Sequence, residues 1–332
     1  MINPILDDLK KVDERLRETV CSEFDLVSRI SLSAIEGGKR LRPSLLILWT
    51  RGTAQRELDP RQMDRMIDLA AAVELIHVAS LVHDDIVDGS SMRRGKPSLN
   101  FRWNSHIALL EGDYLLARAM GLAVKRASRP QMKLITRCLR RMCEGEIMQT
   151  WACGKTDLTL DRYLDFISMK TASLIETSCM LGTMISGSKH LLRSARIYGL
   201  HFGMAFQIVD DVIDLIGTGL SLGKEAHKDL LQRRFTAPMI YLREICDEED
   251  RRKLMRRLQG ELSGEDLSWV IRLAGSYGVI ERCYEMVRRL LSVAISALDR
   301  FPEGEFKYAL EAGTMKLWEM IKDEASGRFD NR

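Results

Sequence analysis

The chain has 332 residues, of which 45% are hydrophobic and 29% charged, a mixture that suits a folded protein with a large core and excludes a disordered or fibrous one. Its 50 basic and 47 acidic residues leave a net charge of +3, too small a surplus to mark a nucleic-acid binder. Seven cysteines form no CxxC pair and no zinc-type spacing with histidine, which argues against a disulfide framework or structural zinc and fits a reducing cytoplasm.

The first turns carry Asp7, Asp8, Lys10 and Lys11 where a secretory signal would be apolar. No uninterrupted apolar run reaches about 18 residues, so a soluble protein without stable membrane insertion is expected. No Pro/Gly/Ser-rich linker divides residues 1–332, so a single domain with one core is the simplest organisation. Prolines are few, Leu, Met, Ala, Glu and Arg fill the stretches between them, and runs bounded by two-residue hairpin turns are missing. Together these predict an all-α fold, a multi-helix bundle.

In chain order, the first feature is Gly37-Gly38-Lys39-Arg40-Leu41-Arg42-Pro43, cations after two flexible glycines and just before a helix-opening proline. Arginine forks match phosphate oxygens and glycine lets backbone approach closely, so the segment suits a diphosphate; taken alone, a basic turn explains it as well. Residues 64–88 follow, with Ile67, Ala70, Ala71, Leu75, Val78, Leu81 and Val82 at helical spacing. His77 lies two turns before Asp84 on about the same face, a neutral core histidine or a donor to phosphate. The helix ends in Asp84-Asp85-Ile86-Val87-Asp88, and Arg93 and Arg94 come just after it.

Helical patterns recur at 107–124, 161–186, 194–216 and 278–300. The second includes Lys170 and Thr171, and the third includes Gln207 and ends in Asp210-Asp211-Val212-Ile213-Asp214, an echo of the first acidic cluster. Within each cluster the outer aspartates are four apart and stack one helical turn from each other. Hard oxygen ligands without His or Cys suit Mg²⁺, which binds few carboxylates and completes its shell with substrate phosphate and water. One such cluster is as easily a solvated acidic face. Two, each embedded in Val, Ile and Leu, point inward and require a counter-charge, so the expected metal ligands are Asp84, Asp85, Asp88, Asp210, Asp211 and Asp214.

Taken together, Gly37 to Pro43, Glu74 to Asp88, Arg93-Arg94-Gly95, Gly112-Asp113-Tyr114, Lys170-Thr171-Ala172 and Phe206-Gln207 to Asp214 resemble the trans-isoprenyl diphosphate synthase (polyprenyl synthetase) family. The resemblance spans about residues 35–240. It implies an all-α homodimer around a deep cavity, and three Mg²⁺ ions per site on the allylic diphosphate. By position, Lys39, Arg42, His77 and Arg94 are implied for isopentenyl diphosphate, and Arg93, Lys170, Thr171, Gln207, Lys224 and Arg234 for the allylic diphosphate. Lys170, Gln207, Asp84 and Asp210 are the residues the resemblance sets closest to the chemistry. There a departing diphosphate is stabilised by cations, the isopentenyl double bond attacks the allylic cation, and a proton is then lost.

Small Ala79 and Ser80, about 6 to 7.5 Å below Asp84 along the helix, stand where bulky residues stop the chain in short-chain members. A medium- or long-chain product is therefore expected, with geranylgeranyl or farnesyl diphosphate as the alternatives. Where the family shows Glu-Gly-Lys, this chain has Gln232-Arg233-Arg234. Arg234 keeps the lysine charge, but the glycine and carboxylate are gone, so this loop is expected to differ in geometry. That departure also leaves open a weak or silent subunit of a heteromeric synthase. A class I terpene cyclase would leave Gly37 to Pro43 unexplained.

Overall fold

The computed structural model describes residues 3–217, 227–260 and 262–329. Its helices in chain order are α1 (Leu6–Val20), α2 (Asp25–Ile35), α3 (Leu41–Thr53), α4 (Pro60–Val87), α5 (Leu99–Arg102), α6 (Ser105–Arg126), α7 (Arg129–Ala152) and α8 (Leu160–Ile167). A π-turn (Ser168–Ala172) leads into α9 (Ser173–Ser186), α10 (Leu192–Ile216), α11 (Lys228–Leu231), α12 (Ala237–Ile245), α13 (Glu248–Gln259), α14 (Gly264–Ser276), α15 (Val279–Ser296) and α16 (Glu305–Phe329). The fold is all-α, with one small departure. Strands β1 (Met92–Arg93) and β2 (Lys96–Pro97) pair antiparallel across a two-residue Arg94-Gly95 turn. Both turn residues have positive φ, +52° and +74°, the arrangement of a type I′ hairpin turn. The expectation that two-residue hairpins are absent is corrected here.

Close Cα neighbours group the chain into two compact units. The first contains Met1–Arg140, Leu174–Gly199 and Ile295–Gly313. Its centre is α3, buried from Arg42 to Thr50, where Trp49 meets Tyr198 at 5.8 Å and the Phe301 edge at 5.0 Å between ring centroids. Replacing so deeply buried a Trp by Ala typically costs about 3–5 kcal/mol. Helix α4 starts at a capping box, Asp59 with Gln62, and has Pro60 at its first position, which fixes the helix entry and satisfies its first donors. By length and composition α4 is apolar enough to cross a membrane, and 78% of its most apolar window is buried inside the protein. Among its buried carboxylates, Asp68 is fully buried, bonded by Arg126 Nε at 2.6 Å and paired with Arg15, the pairing a buried charge requires.

The second unit contains Arg141–Ser173, Leu200–Ala294 and Thr314–Arg332. Inside it α8, α10, α12 and α15 bury their apolar stripes, with Tyr163, Ile208, Val212, Ile240 and Val287 at most 2% exposed. Helix α13 has Asp247 as N-cap, three acidic residues in its first turn and Arg256 and Arg257 in its last, so its charges complement the helix dipole.

Candidate active site

In the first unit, the acidic cluster closes α4. Asp88 is the C-cap residue and its N–H donates to Asp84 O at 2.8 Å, so Asp84 and Asp88 lie one turn apart, as their spacing predicts. Both are half-buried. Asp85 differs: it is 4% exposed and accepts Arg93 Nε at 2.9 and 3.1 Å. Spacing alone treats the three as equal ligands; the structure turns Asp85 inward to an arginine, and Arg93, assigned from the resemblance to the allylic diphosphate, is that arginine.

The hairpin sends its two arginines to different places. Arg94 points to the glycine loop, donating from Nη1 to Glu36 O at 3.3 Å. Gly38 has φ +92°, and a Cβ added there would lie 2.8 Å from Arg94 Nη1, so a side chain there is strained in φ and displaces the Arg94 guanidinium. Arg40 turns away from this loop, donating to Asp13 at 2.8 Å, Glu74 at 3.0 Å and Ile35 O at 2.9 Å. It anchors the segment while Lys39 remains exposed and Arg42 is buried.

Arg42 Nε is buried with no hydrogen-bond partner in the protein, and a buried donor without an acceptor is costly unless a ligand supplies one. Burial, opposed in part by Glu74, brings the Arg42 guanidinium down to about 10. Burial and then the surrounding Arg42, Arg94, Arg93 and Arg40 charges hold the His77 imidazole well below its ordinary value, so His77 is neutral with one N–H to donate. Lys39, Arg42, His77 and Arg94 are thus all in the first unit, and its charged members, one lysine and two arginines, suit phosphate oxygens. Below Asp84 on α4, Ser80 is half-buried and bonds back to His77 O at 2.8 Å, while Ala79 is 3% exposed.

In the second unit, the π-turn presents Lys170 and Thr171. A Cβ at Gly145 of α7 would lie 2.7 Å from Lys170 N, so α7 lies directly on this turn. Lys170 is paired with Glu146, the residue after that glycine. Thr171 Oγ1 donates to Gln207 Oε1 at 2.6 Å, Gln207 Nε2 donates to Asp211 Oδ1 at 2.7 Å, and Tyr163 OH donates to Asp211 Oδ2 at 2.5 Å. Asp211 is 4% exposed; burial and then the Asp229 charge push its carboxyl up, against the Tyr163 and Gln207 donors. Asp210 beside it is half-buried. Asp214 accepts the N–H groups of Lys228 and Asp229 at 3.1 and 3.0 Å and so caps α11.

As in the first cluster, the middle aspartate is turned to protein donors. Here Asp85 and Asp211 are held by protein donors, and Asp214 caps α11. Among the described residues no three acidic, histidine or cysteine side chains gather closely enough to enclose a metal alone, so a metal on these oxygens needs phosphate or water for the rest of its shell.

Lys224 lies outside the described residues. Arg233 has φ +55°, a left-handed conformation that arginine rarely adopts and glycine adopts freely. Its N–H bonds Leu230 O at 3.0 Å, its carbonyl accepts Gly154 N–H at 3.0 Å, and its Nη2 reaches Gly260 O at 3.2 Å. Arg234 N–H bonds Asp229 O at 2.8 Å, with Arg234 Nη1 4.0 Å from the Asp229 carboxylate. Glu146 and Tyr163 were not singled out from sequence, and Arg40 and Glu74 stood in quoted motifs without a role; the usable signals for the first two were a carboxylate and a phenol on helix faces with apolar neighbours.

The polyprenyl synthetase family profile matches residues 25–273. Among curated proteins, the heptaprenyl diphosphate synthase component 2 of Geobacillus stearothermophilus is 34% identical, covering 92% of this chain and 93% of that protein. The all-trans-nonaprenyl-diphosphate synthase (geranyl-diphosphate specific) of Rhodobacter capsulatus is 33% identical, covering 93% and 94%. Among solved structures, a polyprenyl synthase from Caulobacter crescentus, complexed with calcium and isoprenyl diphosphate, superposes with a TM-score of 0.88 at 29% identity over 96% of this chain and 95% of that one.

Proposed function

The chain belongs to the polyprenyl synthetase family, and on that footing we propose that it lengthens an allylic diphosphate with isopentenyl diphosphate, head to tail and trans, to a medium- or long-chain polyprenyl diphosphate. The observation that carries the reading is the first-unit cluster around Arg42, whose buried Nε lacks a protein acceptor and whose neighbour His77 is held neutral. An anion with several oxygens satisfies both, and the isopentenyl diphosphate assigned to Lys39, Arg42, His77 and Arg94 is such an anion. The family match takes in parts of both compact units, which supports treating 1–332 as one functional domain.

Asp84, Asp88 and Asp210 are the carboxylates we assign to Mg²⁺, three ions per site by family resemblance. When bound, Mg²⁺ supplies charge to the diphosphate oxygens as the allylic C–O bond breaks. Within its own cluster each middle aspartate is held by protein donors, Asp85 by Arg93 and Asp211 by Tyr163 and Gln207. Lys170, Thr171, Gln207 and Arg234 are assigned to the allylic substrate, with Lys170 exchanging Glu146 for a phosphate oxygen. Arg93, held by Asp85, is assigned to that substrate as well. The released diphosphate takes the proton lost at the end, since no protein base is assigned.

Small Ala79 and Ser80 support the longer products, as do the heptaprenyl and nonaprenyl names of the relatives. We read the protein as a cytoplasmic homodimer. A second reading, a subunit that needs a partner, is favoured by the word component in the names of two relatives, from Geobacillus stearothermophilus and Bacillus subtilis.

The test is incubation of the purified chain with Mg²⁺, farnesyl diphosphate and labelled isopentenyl diphosphate, followed by chain-length analysis. Incorporation is expected from the chain alone, reduced by about 100-fold or more in Asp84→Ala and in Asp210→Ala with the helical fold intact. No incorporation by the chain alone defeats the homodimer reading, and near-wild-type rates in either variant defeat the metal assignment.

A further inference from the structure

Tyr163 on α8 is 2% exposed, and its OH donates to Asp211 Oδ2 at 2.5 Å. It ends a chain of hydrogen bonds that has one consistent direction with Asp211 ionised. Both Asp211 oxygens accept, so Gln207 presents its NH₂ to Oδ1, at 2.7 Å. Gln207 Oε1 is thereby turned toward Thr171, whose hydroxyl donates to it at 2.6 Å. An amide has two ends of nearly equal shape, and only such partners decide which way round it sits.

The chain also ties helix winding to side-chain placement. Gln207 and Asp211 are four residues apart on α10 and share a face. Tyr163 and Thr171 are eight apart, which in a regular α-helix is about 80° beyond two full turns. The π-turn at Ser168–Ala172 winds less per residue and brings both hydroxyls onto the Gln207–Asp211 pair. Lys170 is carried by the same turn.

We propose that Tyr163 is a positioning residue for prenyl transfer: by clamping Asp211 it fixes the amide orientation of Gln207 and, through Thr171, the place of the π-turn that presents Lys170. The proposal rests on the functional reading above for the reaction it serves; the hydrogen-bond chain itself does not. A phenylalanine at 163 fills the same space and removes only the donor.

The test uses the full-length protein and a double-mutant cycle. Tyr163→Phe is expected to lower kcat about 10- to 100-fold while the KM for isopentenyl diphosphate stays within about twofold. In a Gln207→Leu background the same substitution should cost less than about threefold more, because both act through one chain. An unchanged kcat in Tyr163→Phe, or the same fold loss in both backgrounds, overturns the proposal.

A second measurement does not need turnover. With ¹⁵N-labelled glutamine, the Gln207 side-chain amide signal should shift in Tyr163→Phe and, from the opposite end, in Thr171→Val. An unmoved signal in both variants overturns the chain. Thr171→Val also serves if Tyr163→Phe does not fold, with a lowered kcat expected. If the wild type fails to turn over while the signal shifts, the functional reading is wrong and the chain stands.

Discussion

Gly37 and Gly38 offer a matched pair for testing what Arg94 does. Both have positive φ, +74° and +92°, so alanine at either incurs the left-handed penalty of about 1–2 kcal/mol, partly offset by about 0.4–1 kcal/mol from a less flexible unfolded chain. Over 332 residues the unfolding entropy is about 0.7 kcal/mol/K, so the net loss of about 1 kcal/mol lowers Tm by only about 1–2 °C in each variant. They differ in what the new methyl meets. At Gly37 nothing lies within 4 Å, whereas at Gly38 the Arg94 guanidinium atoms lie at 2.8, 2.9 and 3.0 Å. Arg94 must retreat by roughly 0.5–1 Å to restore van der Waals contact, which is enough to spoil a charge-assisted hydrogen bond of about 1.5–3 kcal/mol. Gly38→Ala should therefore raise the KM for isopentenyl diphosphate about 10- to 100-fold, and Gly37→Ala by no more than about twofold. Steady-state kinetics with the allylic substrate saturating measure both. An equal rise in the two variants would show that backbone strain, and not Arg94, sets the effect.

Three further outcomes are expected. Burial pushes the Glu111 carboxyl from 4.5 up to about 7, against a hydrogen bond from Ser31. The folded state then holds the proton more tightly than the unfolded one, stability falls as pH rises from 4.5 to about 7, and the full cost is present above that range. Glu111→Gln should gain about 2 kcal/mol at pH 8, after discounting for solvent screening, and almost nothing near pH 4.5, as read by urea unfolding; an equal gain at both pH values refutes the titration. Arg233→Gly relieves about 1–2 kcal/mol of left-handed strain but loses the exposed bond to Gly260 O and adds unfolded-state entropy of similar total, so stability should change by less than about 0.5 kcal/mol; a gain above about 1.5 kcal/mol would mean that the side chain contributes nothing. Ser80→Phe should shorten the product in chain-length analysis if the tail runs past α4 below Asp84, provided the core tolerates the added volume, and an unchanged product distribution excludes that path.

Long amphipathic helices were legible because one buried stripe repeats over many turns: residues 64–88 and 194–216 became α4 and α10 with only small shifts at their ends. Residues 161–186 read as one helix and contain a π-turn, because a single wider turn barely disturbs apolar spacing. The hairpin was missed for a different reason. Its strands have two residues each, and Arg94 occupies a turn position where Asn, Asp or Gly is the usual signal. At the site, spacing identified both aspartate clusters but ranked their members alike. Only burial and partners separate Asp85 from Asp84, or Asp211 from Asp210, and those depend on residues distant in sequence: Tyr163 is 48 residues from Asp211.

The β1–β2 hairpin makes length, more than composition, the sensitive variable between Ser91 and Ser98. Its consecutive arginines diverge to Asp85 and to the Gly38 loop only because one is a strand residue and the next opens a two-residue turn. A single inserted or deleted residue exchanges which face each arginine occupies, whereas the exposed Lys96–Glu36 pair tolerates replacement at a cost below about 1 kcal/mol. In a library built on this chain, point changes at Met92 and Lys96 should survive selection, and frame-preserving insertions between them should be depleted.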